Sequence, residues 1–217
     1  MRKAKKSAIA GLALGITLVA GGTPTAQAST ILATTTTPVS FACQADPPWE
    51  SVRFTNEQTI TANVPSVVSA GAQFSGTGSS APYYVPTEVN GIANKELRDF
   101  TLTMRLSGPA TVTGATISGG TNLGPGTPSV TTTAGTVTLK VPGPLAAGST
   151  VTLPTVKINA RAGSTPGVVQ LRIAGSSYTD PGLKVTSVVP LDPDPPIIAP
   201  SSCYPSPSPV LSSTTVR

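Results

Sequence analysis

The chain has 217 residues with 14 Lys plus Arg against 9 Asp plus Glu, and no histidine. The missing histidine excludes Ser-His-Asp and Cys-His nucleophilic systems in their usual form, histidine general bases and nearly all catalytic zinc sites. The basic balance does not extend to the whole chain, because four of the cations (Arg2, Lys3, Lys5 and Lys6) crowd the first residues.

Those four cations precede an apolar stretch, Ala8 to Gly22, and then Ala26-Gln27-Ala28. A basic start, a short apolar run and small residues at a cleavage site form the layout of a secretory signal. Residues 1–28 are therefore predicted to be a signal peptide. The run is shorter than the ~20 residues of a membrane-spanning helix and is broken by glycines, so no transmembrane span is expected in the mature chain. Removing the signal leaves ten cations against nine anions. A nearly neutral mature chain argues against nucleic acid as a partner.

From Ser29 onward, about 189 residues remain, enough for one domain with a real core. Residues 29–38 form a Thr-rich lead containing Thr34 to Thr37, and residues 39–217 are read as a single domain. Threonine and valine suit a pleated, half-buried surface, while glycine and proline punctuate turns.

Alternation then marks the strands in order. Weaker patterns occur at Val39 to Cys43, Val52 to Phe54 and Ile60 to Val64. In Phe100 to Leu106, the apolar residues Phe100, Leu102, Met104 and Leu106 fall on one face without a break. Val137 to Val141, Val156 to Arg161 and Val169 to Ile173 follow the same rule, and Leu183 to Val189 does so more weakly. Between them lie dense turn signals, among them Ala70-Gly71, Ser107-Gly108-Pro109, Ala147-Gly148 and Asp180-Pro181-Gly182. Asn90 to Arg98 alone suggests a short helical turn. The predicted fold is all-β: a two-sheet antiparallel sandwich of roughly eight to ten strands. A Pro-rich C-terminal segment, residues 190–209, completes the domain.

Ile60 to Phe74 aligns without a gap on Val137 to Val151, 77 residues later, with Thr61/Thr138, Val64/Val141, Pro65/Pro142, Ala70/Ala147 and Gly71/Gly148 identical. The flanks do not match. The pattern reads as one strand-turn-strand solution used twice rather than as a duplicated domain.

Gly135 to Gly163, with its strand, apolar-Ala-Gly turn and long alternating strand, resembles the latter half of bacterial immunoglobulin-like domains. More broadly, Phe41 to Val216 is similar to secreted actinobacterial proteins with an early cysteine and a late segment like Cys203-Tyr-Pro-Ser-Pro-Ser-Pro209. The resemblance implies an immunoglobulin-like sandwich in an extracellular compartment. It implies no mechanism, because sandwiches host many functions.

Cys43 and Cys203 are the two cysteines, with no metal-ligand or redox spacing. In an exported chain the default for a lone pair is a disulfide, with free thiols or an intermolecular bridge as alternatives. Asp192-Pro-Asp-Pro-Pro196 reads as a solvated, extended linker rather than a calcium loop. No phosphate-cradling loop and no Ser-x-x-Lys pair occurs, and no cofactor is implied.

Glu50, Glu57, Glu88, Glu96 and Asp99 are the carboxylates that could act in pairs in glycoside cleavage; each reads first as a solvated surface charge. Trp49 and the pair Tyr83-Tyr84 lie in Pro-flanked segments and are the candidate ligand surface. Trp49 is expected to close the core or act as a lid, and the Tyr pair to place one ring inward and one outward. The expected function is that of a secreted, non-enzymatic structural or adhesive protein at the cell envelope. A carbohydrate- or lipid-binding module is the alternative, and a carboxylate hydrolase the third. Expected partners are an envelope glycan, a lipid or another surface protein.

Overall fold

The computed structural model describes residues 31–133 and 135–217, so the signal-peptide assignment lies outside the described residues. Strands run in chain order as β1 (Leu32–Ala45), β2 (Val52–Pro65), β3 (Val67–Val68), β4 (Gln73–Ser80), β5 (Tyr83–Tyr84) and β6 (Glu88–Val89). They continue as β7 (Ile92–Ala93), β8 (Glu96–Ser107), β9 (Ala110–Ser118), β10 (Ser129–Thr133), β11 (Thr136–Val141) and β12 (Leu145–Ala146). The last six are β13 (Thr150–Val151), β14 (Thr155–Ala162), β15 (Gly167–Ile173), β16 (Leu183–Val189), β17 (Ile197–Pro205) and β18 (Ser212–Val216).

The strongly alternating segments all became strands, because each can turn one apolar face inward and leave the other in water. Among the described residues, twelve strands have five or more residues, against the eight to ten expected. The additional ones include β4, β9 and β10, whose Gly, Ser and Thr content hides the alternation. They pair because neighbours supply the ladder, not because their own side chains demand it.

The principal sheet has 14 strands and follows the order β3-β18-β15-β8-β16-β17-β1-β2-β4-β14-β9, with β11 and β12 on the other side of β8 and β10 beyond β11. All its pairs are antiparallel except β18 with β3. Strand β8 is the branch point. Leu102 lies between Leu139 and Leu183, and Met104 between Val137 and Ile173. The path doubles back through β16 and β17, so the inner faces of β1, β2 and β14 share one core with those of β8, β11 and β15. The result is an all-β sandwich, in which Phe41, Leu139, Leu145 and Leu211 are among the largest fully buried side chains.

Strands β1 and β2 form a ladder unbroken from Leu32 opposite Pro65 to Ala45 opposite Val52. The Thr-rich stretch is the first, largely exposed half of β1, and Thr36 and Thr61 bring their hydroxyls within 3.2 Å across the ladder. Pro38 is tolerated because β17 begins to pair with β1 only at Phe41, leaving an open edge beside the proline.

The helical turn expected over Asn90 to Arg98 does not form. Asn90 and Gly91 have φ of 51° and 80° and join β6 to β7 as a hairpin, while Glu96 to Arg98 open β8. Two successive left-handed residues are what a two-residue hairpin turn of type I′ requires, and Asn-Gly is its strongest sequence signal. That local preference outweighed the helix-forming character of Lys95-Glu96-Leu97-Arg98.

Candidate ligand cleft

Cys43 stands directly opposite Cys203 in the β1–β17 ladder, and the two are joined by a disulfide with Cα atoms 4.1 Å apart. Both half-cystines face the core and are fully buried. Among the three alternatives open from the sequence, the structure has the intrachain bond.

Just beyond Cys43, the chain turns from β1 to β2 through residues 46–51. Three contacts hold this loop: Asp46 N–H donates to Pro200 O at 2.9 Å, and the Asp46 carboxylate accepts from Ser51 Oγ at 2.7 Å and from Gln44 Nε2 at 2.9 Å. The Ser51 hydroxyl, and after it the Gln44 amide, favour the ionised form and lower the Asp46 pKa. Pro47 is buried, and Trp49 projects with 52% of its surface exposed.

Beneath Trp49 lies a cavity of about 40 Å³ whose apolar walls include Val52 and Phe54 of β2, Ile92 of β7, Val189 of β16 and Ala199 of β17. Two polar side chains, Asn94 and Ser187, also line it. Asn94 is 7% exposed; its Nδ2 donates to Pro86 O at 2.7 Å, while Oδ1 is buried without a hydrogen-bond partner. The Pro86 bond sets the amide orientation, since a flipped side chain would oppose two oxygens. Lys95 N–H donates to Val188 O at 2.8 Å, which seats Asn94 beside the strand carrying Ser187.

A second cavity, of about 50 Å³, lies further along the same two strands, bounded by Asn56, Gln58 and Ile60 of β2 and by Leu183 and Val185 of β16. Tyr83 lines it from β5, and burial raises its phenol pKa. Tyr84, its neighbour, is 56% exposed. The rings alternate as an extended pair must. Trp49 and Tyr83 thus line different cavities, and Tyr84 stands in water.

Sequence reading missed Asn94 and Ser187, since neither carries a motif and Asn94 fell within the expected helical turn. It also missed an aromatic cluster on the outer face: Tyr178 and Tyr204 meet edge to face at 5.2 Å, and the Arg53 guanidinium lies 5.3 Å from the Tyr178 ring centre. Only the parity of Tyr204, one residue past the inward-facing Cys203, gave a hint of this surface.

The carboxylates are spread over several elements. Glu96 pairs with Arg98 on β8, Asp99 has a left-handed backbone with φ 53°, Glu57 sits on the exposed face of β2, and Glu50 and Glu88 are exposed. Asp192 to Pro196 is solvated along its length between β16 and β17. Among the described residues, no cluster of three metal-ligating side chains occurs, and no helix is long and apolar enough to cross a membrane.

No family model matches the chain, and no curated protein does. Among solved structures, the fold is similar to a Corynebacterium diphtheriae protein named "putative membrane anchored protein", at 14% identity and a TM-score of 0.51. The match covers 85% of this chain and 38% of that one, so the chain spans well under half of its neighbour's length. The likeness is one of fold: both chains contain this β-sandwich.

Proposed function

We propose that the chain is an extracytoplasmic β-sandwich of the cell envelope that works as a structural or adhesive module, without catalytic activity. The observation carrying this reading is the buried Cys43–Cys203 disulfide, which ties the first strand to the C-terminal part of the chain. Such bonds form and persist in oxidising, extracytoplasmic compartments. The signal-like N-terminus supports export, and the fold neighbour's printed name, "putative membrane anchored protein", is in keeping with an envelope setting. Fractionation tests the reading. The protein is expected in the envelope or medium fraction with no thiol reactive toward alkylating reagents. Recovery in the cytoplasm with both thiols free overturns it.

The alternative, a carbohydrate- or lipid-binding module, draws on the cleft beneath Trp49, where an exposed indole borders a largely apolar cavity. Adhesion and ligand binding are compatible at one envelope module, and the two readings share a partner class, an envelope glycan, lipid or surface protein. A carboxylate hydrolase has the least support, because Glu96 is engaged by Arg98 and the other candidate carboxylates are exposed. Turnover abolished by a Glu→Gln change at one position would promote it.

A further inference from the structure

The two ends of the sandwich differ in charge. At the end of the β1–β2 loop stand Asp46 and Glu50, and the β16–β17 connection beside them carries Asp192 and Asp194. At the opposite end the chain turns through residues 66–72, 107–109 and 163–167, and none of these residues is charged. Gly71 N–H donates to Gly163 O at 3.0 Å and Gly163 N–H to Pro109 O at 2.8 Å, so the three turns form one surface. Along β2 the nearest carboxylate is Glu57, eight positions before Pro65, or about 26 Å at the rise of a strand.

What this end exposes instead is apolar. Ile31 is 75% exposed, Leu32 56%, Val168 50% and Val67 38%, half of the large hydrophobics that stand in water among the described residues. Ile31, Leu32 and Val67 line one open groove whose far wall is the start of β4. Val168 continues the row, because it stands opposite Thr215, which in turn stands opposite Val67. Arg161 is exposed at the rim, where its Nε donates to Gly71 O at 3.2 Å.

Position selects the occupant. Ile31 comes nine residues after Gly22, the last of the apolar stretch, a reach of at most about 32 Å when extended. This end is therefore held close to a bilayer whenever that stretch engages one, as an export signal does. Cleavage after Ala28 would leave Ser29 and Thr30 ahead of Ile31, too short and too polar to fill the groove. A stable protein interface takes about 20–30 residues a side, more than the eleven of the groove and Val168 supply. A lipid surface asks for less: a few apolar side chains below the headgroups and a cation at the level of the phosphates. We infer that this end, with Ile31, Leu32, Val67 and Val168 as its apolar row and Arg161 at its rim, rests on an anionic lipid surface. The inference deepens the envelope reading, on which it rests, by naming what the module lies against. No bond is made or broken.

The chain is isolated from whichever cell fraction holds it and sedimented with vesicles of phosphatidylcholine, alone or mixed in equal parts with phosphatidylglycerol. Binding to both is expected, about fivefold stronger with phosphatidylglycerol, the effect of one cation near an anionic surface. Arg161→Gln should abolish that preference. Ile31→Ser combined with Leu32→Ser should weaken binding at least about tenfold, or 1.4 kcal/mol, and Val168→Ser should weaken it too. Ile198→Ser removes an equally exposed side chain near the other end and should bind as the unaltered chain does. Trp49 emission should not shift, since Trp49 lies beyond the far end of the 14-residue β2. If the double variant does not fold, Val168→Ser, on the exposed face of β15, still decides.

Absence of binding, binding unchanged in the double variant or in Val168→Ser, or indifference to phosphatidylglycerol overturns the inference. A shift of Trp49 emission, which would place the contact at the other end, overturns it, as does a dimer that the double variant abolishes in place of vesicle binding. A chain found in the envelope that binds neither vesicle overturns this inference while leaving the envelope reading intact. A chain that binds as expected but is recovered from the cytoplasm with both thiols free does the reverse.

Discussion

Tyr83 and Asn94 sit eleven positions apart, on either side of the Asn90-Gly91 hairpin, and the interior treats them differently. At Tyr83, burial penalises the phenolate and raises the pKa above the usual value of about 10. A raised folded-state pKa means that the stabilisation is fully present below about pH 10 and is lost as pH rises through the folded value. Urea midpoints should therefore fall above about pH 10, and Tyr83→Phe should make that fall shallower. An identical pH profile in the variant would show that the phenol does not titrate in coupling with folding. At Asp46 the sign is opposite. Ser51, then Gln44, favours the ionised carboxylate, so its contribution is present above the usual aspartate range and fades as pH falls through the lowered value. Ser51→Ala should move the Asp46 pKa upward, as read from the side-chain carboxyl carbon shift by NMR. The effect on stability should be slight, because this carboxylate is solvated.

The two Ala-Gly segments show how far one local solution reaches at the scale of an element. Ala72 N–H donates to Ser69 O at 3.1 Å, and Ser149 N–H to Ala146 O at 3.2 Å, the same bond 77 positions on. Gly71 and Gly148 have φ of 73° and 77°, as the third residue of a type II turn requires. The partners then diverge: β3 joins β18 in parallel, whereas β12 joins β8 antiparallel. The resemblance between the two segments is thus that of a turn, with different tertiary surroundings. A Cβ at position 71 meets no atom within 4 Å, so the cost of Gly71→Ala is conformational alone. Thermal or urea denaturation should show a loss of about 1–2 kcal/mol, with Gly71→Asn milder because asparagine tolerates the left-handed region. These turns and the strongly alternating strands were legible because both signals are local. Strands β4, β9 and β10 were not, since glycine, serine and threonine pair when a neighbour offers a ladder and otherwise have no preferred face.

For the whole molecule, the disulfide closes a sequence separation of 160 residues, so it constrains the unfolded chain over nearly the entire described length. Replacing both half-cystines, Cys43→Ala with Cys203→Ala, should lower the unfolding free energy by about 2–5 kcal/mol in urea, with the β-sheet far-UV signal retained before the transition. Unchanged stability would mean that β1 and β17 hold their register without the bond. Much of the architecture is legible in the sequence. Unbroken alternation dictates a sheet with one wet face, dense Gly and Pro dictate short connections, and a lone pair of cysteines behind a signal-like N-terminus favours a bond. Each follows from the geometry of neighbouring residues or from the compartment. What only the tertiary structure decided is which strands meet: that β8 branches to four partners, that Cys43 falls opposite Cys203, and that Trp49 shares a wall with Asn94 and Ser187. The physical reason is that periodicity tells a strand which face to bury but not against what. A cleft assembled from the β1–β2 loop, the β6–β7 hairpin, β16 and β17 exists only where those separate choices converge.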